Sequence, residues 1–211
     1  MREVVVNPKY AFISACLKGE EARTVSPGHI DRVVTASNLQ DALAVIRDTD
    51  IGGYLEGLPV KTFDNVDEYL WNYLAQHIEY VESFKLLPKE LLNLSRGYVV
   101  KYDVSNIKAA LQSIASGKKP RMIPIGILHK SGLLDRLSGV DNVDDIAVLL
   151  NRCRLGDYVP PLEPYKKDKD TKTRLLVEAK LDGQYYNSMV QTARRLKDGF
   201  VLRQALGVLI D

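Results

Sequence analysis

A chain of 211 residues, 45% apolar and 27% charged, is long enough to bury the core of one or two domains. Its 29 basic and 27 acidic residues leave a formal charge of +2, which argues against a nucleic-acid protein held by phosphate neutralisation. No stretch approaches the roughly 20 apolar residues that span a bilayer, and MREVVVNPKY at the start lacks a signal-peptide pattern. Cys16 and Cys153 make no metal-ligand spacing, so buried thiols in a reducing compartment are expected.

The periodicity is helical almost throughout. Pro8 opens a first helix to about Ala22, and the Ser26-Pro27-Gly28 break starts a second near Ile30. Ser37 is the expected N-cap of a third, with Leu39, Ala42, Leu43 and Ile46 on one face and Asp41 in its first turn. Asp48-Thr49-Asp50 and Gly52-Gly53 are read as its end, followed by a short turn carrying Tyr54 and Leu55. Asp64 is the expected cap of a long amphipathic helix with Val66, Tyr69, Leu70, Tyr73, Leu74, Ile78, Val81 and Phe84 at i, i+3, i+4 spacing. Pro88 suits the first turn of the next helix, which Gly117-Lys118-Lys119-Pro120 stops. Met122 to Gly126 is apolar but broken by proline and glycine, and is expected to be a packed loop. Two short helices, about Ser131–Leu137 and Val143–Cys153, come next. Pro160-Pro161, Pro164 and the mixed charge run Lys166–Arg174 read as a solvated linker. A last helix pair covers about Thr171–Leu196 and Gly199 to the end.

Part of this pattern is written twice. Gly28, Asp31, Arg32, Asn38, Asp41, Gly52 and Tyr54 recur 104 positions on as Gly132, Asp135, Arg136, Asn142, Asp145, Gly156 and Tyr158, without a gap. The correspondence extends to Tyr10 with Tyr102 if the second copy carries a 12-residue insertion, and Tyr102-Asp103 recurs 108 positions on as Ile210-Asp211. Recurring helical units predict stacked lobes, and such lobes more often form a scaffold or socket than an active site. The expected fold is all-α, with pseudo-symmetric helical repeat lobes. Residues 1–60 would be the first lobe, 61–101 connecting long helices, 102–165 the second lobe, and 166–211 a linker and helix pair leading towards a third.

No catalytic constellation stands out. His29, His77 and His129 are far apart, and none has a partner ligand at helical spacing; His77 reads as a structural histidine. Asp48 and Asp50 could be a paired acid and base, but turn chemistry explains aspartates there better. Gly52-Gly53 lacks the strand and lysine of a phosphate cradle. Eleven tyrosines could supply interface anchors, although Tyr69, Tyr73 and Tyr80 at helical spacing fit an amphipathic core.

Two strings go further. Residues 41–55 (DALAVIRDTDIGGYL), and 102–108 (YDVSNIK) followed by 122–128 (MIPIGIL), resemble signature segments of a known family: the central-stalk C subunits of archaeal and bacterial A-type (V/A-type) ATP synthases, related to the d subunit of the vacuolar ATPase. Arg47, Asp48, Thr49 and, displaced, Tyr54 match one motif; Asp103, Asn106, Ile107 and Lys108 after Tyr102 match another; Pro124, Ile125 and Gly126 match a following turn. Tyr185-Tyr186 and Ile210-Asp211 resemble the start of the family's third repeat.

The resemblance implies three helical lobes arranged as a funnel on the cytoplasmic face of the membrane rotor ring, receiving the tip of the central shaft. It implies a non-catalytic, peripheral rotor adaptor that binds neither nucleotide nor cofactor nor metal, partnered by the shaft subunits and the ring. The alternative is a stand-alone helical interaction module derived from that family. Family members normally carry a complete third lobe, and this chain stops at its threshold, either as a fragment of a longer subunit or as a shortened relative with two lobes. An apolar surface around Phe200, Leu202 and Leu206, prone to self-association, is therefore expected.

Overall fold

The computed structural model describes residues 8–85 and 87–196, together with Gly199, Leu202, Arg203, Leu206 and Gly207. The expected final helix, with Phe200 and Ile210-Asp211, lies mostly outside the described residues, as do the first seven positions and the side chain of Tyr10. Every regular element among the described residues is helical, so the chain is all-α as its periodicity requires. It divides into two compact units, Met1–Pro88 and Lys89–Asp211.

The first unit holds α1 (Pro8–Glu21), α2 (Pro27–Val34), α3 (Leu39–Val45), α4 (Asp50–Glu56) and α5 (Phe63–Ser83). Each start from α2 onward is set by a side-chain cap. Ser26 accepts from the His29 amide while the His29 ring accepts from the Ser26 amide, a reciprocal capping box. The cap of α3 is Asn38 rather than the expected Ser37, because the Asn38 carboxamide both accepts from the Asp41 amide at 3.0 Å and donates to the Asp41 carboxylate at 2.8 Å. Likewise α5 is capped by Thr62, not Asp64. The expected turn at 48–55 is instead a helix, α4: the Thr49 hydroxyl accepts from the Gly52 amide at 3.1 Å, and Asp50 occupies the first turn. Few side chains in this unit are lost from solvent. Among the described residues only Thr49, Gly52, Leu55 and Pro88 are buried.

The second unit holds the long α6 (Lys89–Ser116), the short α7 (Ile127–Lys130), α8 (Leu134–Ser138) and α9 (Val143–Arg152), then α10 (Glu163–Lys167) and the long α11 (Thr171–Arg194). Helices α6 and α11 pack against each other. Gly97 permits this close approach, since a Cβ there would lie 2.9 Å from the Met189 sulfur. Ile107, Leu111, Leu128, Leu137, Ile146, Leu150, Leu162, Val177 and Leu181 are wholly buried in one core. Burying each such side chain contributes about 1.5–3 kcal/mol before conformational entropy is counted.

Gly117 ends α6 with φ +68°, as its sequence position predicts. The expected helix 131–137 is divided by Gly132 at φ +65°, so that α7 precedes it and α8 begins only at Leu134. The proline segment is not a solvated linker. Gly156–Tyr158 and Pro160–Leu162 form 3-10 turns leading into α10, and Leu162 and Tyr165 are 0% and 1% exposed. Prolines at helix starts cost nothing there, because those amides have no intrahelical partner. Of this segment, only the charge-rich run Lys167–Lys172 is exposed along its whole length.

The written repeat has a local structural counterpart. Asn142 caps α9 as Asn38 caps α3, accepting from the Asp145 amide at 2.9 Å and donating to its carboxylate at 2.7 Å.

Candidate functional site

The two signature segments fall in different units, and each is spent on holding a turn in place. In the first unit, Thr49 is 3% exposed and donates its hydroxyl to the Ile46 carbonyl at 2.6 Å while capping α4. Gly52 is required here, because a Cβ would lie 1.9 Å from the Ile46 carbonyl oxygen. Arg47 reaches across to Glu56 at 2.7 Å, and this contact holds its guanidinium pKa above the usual value. Asp50 pairs with Arg23 at 2.9 Å, and its amide donates to the Arg23 carbonyl. Tyr54 sits 5.2 Å from the Tyr73 ring. Asp48 is the exception: its side chain is 79% exposed, 3.4 Å from the His29 ring. Beside this turn an open groove of about 350 Å³ is lined by Leu43, Ala44, Arg47, Leu55, Glu56 and Val60.

The second segment is tighter. Asp103 lies on the buried face of α6 with no exposed surface, and its two oxygens accept from the Ile127 and Leu128 amides at 2.8 and 2.9 Å. These are the first amides of α7, which lack partners within that helix. One turn on, the Asn106 carboxamide makes a two-way pair with the Ile123 backbone, donating at 2.9 Å and accepting at 2.7 Å. Gly126, at φ +112°, passes so close that a Cβ would lie 2.4 Å from an Asp103 oxygen. Pro124 is half-buried in the same loop. Lys108, further along α6, reaches away from the loop to Asp182 on α11 at 2.5 Å. Tyr102 is half-buried under the Lys101 ammonium, 5.0 Å from its ring centre.

Burial pushes the Asp103 carboxyl up to about 6, with the two amides opposing that shift. A carboxyl with this pKa could in principle shuttle protons, but both its oxygens are engaged and no surface of it meets solvent. Among the described residues no group of three or more His, Cys, Asp or Glu could hold a metal ion. His77 behaves as read, with its Nδ1 on the Tyr73 carbonyl at 3.1 Å.

One assembly escaped the sequence reading. Tyr98, Tyr102, Tyr158, Tyr185 and Tyr186 gather around the α6–α11 contact, close enough that Tyr185 feels the other four. Tyr185 and Tyr186 rings meet edge to face at 5.3 Å, and the Tyr185 hydroxyl donates to the Tyr98 carbonyl. The signal available was the i, i+4 pair Tyr98 and Tyr102, but its partners lie more than 50 positions away in sequence. Of the tyrosines read as amphipathic core, Tyr69 and Tyr73 are half-buried, and Tyr80 is 47% exposed.

Fold and site together define an all-helical protein whose polar signature residues serve mainly as internal braces. The sequence model of the family described as ATP synthase (C/AC39) subunit matches residues 13–211, and the chain belongs to that family. A curated relative, the C subunit of the A-type ATP synthase of Pyrococcus abyssi (strain GE5 / Orsay), is 21% identical over 206 residues. The match covers 96% of this chain and 53% of that protein, so the chain spans about half the length of the relative.

Proposed function

We propose that this chain acts as a non-catalytic central-stalk adaptor of an A/V-type ATP synthase, coupling the shaft of the soluble head to the membrane rotor ring. The observation that carries this reading is the family match over residues 13–211. Its mechanical plausibility rests on the braces: Asp103, Asn106 and Lys108 tie a loop and a neighbouring helix to α6. A part that transmits torque needs elements that do not slide, and a close-packed core crossed by buried hydrogen bonds resists sliding. In this role the chain lies on the cytoplasmic side and touches the membrane machinery only through protein partners. No helix among the described residues is long and apolar enough to cross a membrane.

Native mass spectrometry of the chain mixed with the shaft subunits of the same ATP synthase tests the proposal. A stable one-to-one complex with the shaft is expected, without ATP hydrolysis by the chain itself. A folded chain that forms no such complex would overturn the adaptor role and favour an independent interaction module.

A further inference from the structure

The tyrosine assembly on the second unit has properties that its internal packing does not require. Tyr98 and Tyr186 are 36% and 48% exposed, so two large aromatic rings stand at the surface of the α6–α11 pair. On α6, three residues beyond Tyr98, the Lys101 ammonium sits 3.8 Å above the Tyr98 ring and 5.0 Å from the Tyr102 ring, and it donates to the Tyr98 hydroxyl. Cation–π contact and that hydrogen bond hold the ammonium in place. No carboxylate among the described residues pairs with Lys101, whereas Lys108, about two turns further along the same face of α6, has Asp182. The platform is stiff: Gly97 lets α11 close on α6, and the Tyr185 hydroxyl ties the two helices at Tyr98.

We propose that the Tyr98–Lys101–Tyr186 face is the seat of an acidic helical partner, with a partner carboxylate meeting Lys101 and apolar side chains covering the exposed rings. The choice of occupant follows from charge. A fixed, half-buried cation without a carboxylate, set against tyrosine rings, gains most from an opposite charge brought to it as a partner covers the site and displaces water. Rigid tyrosines give large contact area at little conformational cost, the composition of interface hot spots. A helix fits because α6 and α11 pack along each other, and a third helix can lie alongside such a pair by the same side-chain packing. The inference rests on the adaptor reading, in which that helix belongs to the central shaft.

The test measures binding of the whole chain to purified shaft subunits by calorimetry, for wild type, Lys101→Glu, Tyr186→Ala and the distant control Lys167→Glu. Circular dichroism melts check that each variant is folded. Lys101→Glu and Tyr186→Ala are expected to weaken binding at least tenfold with unchanged melts, and Lys167→Glu to leave it unchanged. Wild-type affinity should also fall as salt is raised, more steeply than that of a Lys101→Gln variant. Wild-type binding that Lys101→Glu and Tyr186→Ala leave untouched would overturn this seat while leaving the adaptor role standing. Failure of wild type to bind the shaft would remove the adaptor reading and the shaft helix together. Self-association in sedimentation that Tyr186→Ala abolishes, without any effect on shaft binding, would reassign the face to a second copy of this chain.

Discussion

Asp103 is held by opposing forces, and its titration exposes which one wins. Two amide donors favour the carboxylate, yet burial outweighs them and leaves the group near 6, against 3.8 when free. A folded-state pKa above the unfolded one means that the native state binds the proton more tightly. The stability from this linkage is therefore fully present below about pH 4 and is lost as pH rises through about 6. Roughly two pKa units correspond to about 3 kcal/mol. The difference in unfolding free energy between wild type and Asp103→Asn should shrink by about that amount between about pH 4 and pH 7. Urea titrations at several pH values measure it, and a pH-independent difference would refute the account. Gly126 offers a sharper residue-scale test. Alanine there must both adopt φ +112° and displace the Asp103 carboxylate from a 2.4 Å approach. Gly126→Ala should cost about 3 kcal/mol or more, visible as a large drop in Tm, whereas alanine at the open Gly53 should be neutral or slightly stabilising.

At the scale of elements, the repeated caps make a matched pair of experiments. Replacing Asn142 by alanine removes an acceptor for the Asp145 amide and a donor to its carboxylate, at a cost of about 1 kcal/mol; serine should restore most of it. Asn38→Ala should cost a similar amount locally, and a cost near zero at both sites, read by chemical denaturation, would deny the caps their role. The Gly117 stop and the long helices were legible in the sequence, because each is a local signal within a few residues, whereas the sequence places the cap of α3 one residue early, at Ser37 rather than Asn38. Helix α4 was not legible, since Gly52-Gly53 reads as a breaker. Gly52 is there instead to let α4 meet the Ile46 backbone, a reason invisible without the chain's path. The proline segment misled for a related reason: proline marks a helix start as readily as a loop, and composition does not reveal that Leu162 and Tyr165 point into a core. The motif residues Asp103 and Asn106 could be picked out, but their partners could not. Backbone amides at Ile123, Ile127 and Leu128 carry no side-chain signature.

On the scale of the whole chain, burial is distributed unevenly between the two units. The second unit contains a continuous apolar core that includes Ile107, Leu111, Ile146, Leu150 and Leu181, all at 0% exposure. In the first, α2 and α5 contain no buried residue, and Leu55 is the one buried apolar side chain apart from Pro88 among those described. Since apolar burial is the main favourable contribution to folding, the first unit should open at lower free energy than the second. The chain carries its own reporter of this difference. Its single tryptophan, Trp71, lies in α5, so its fluorescence follows the first unit, while far-ultraviolet circular dichroism follows helices in both. Urea unfolding should therefore give two transitions that do not coincide, with fluorescence changing at lower urea than most of the dichroism. Hydrogen exchange should rank the amides in the same order, with α2 and α5 exchanging before the inward faces of α6, α9 and α11. Superimposable fluorescence and dichroism curves would mean that the two units unfold as one cooperative body, and that the first draws stability from more than its own sparse core.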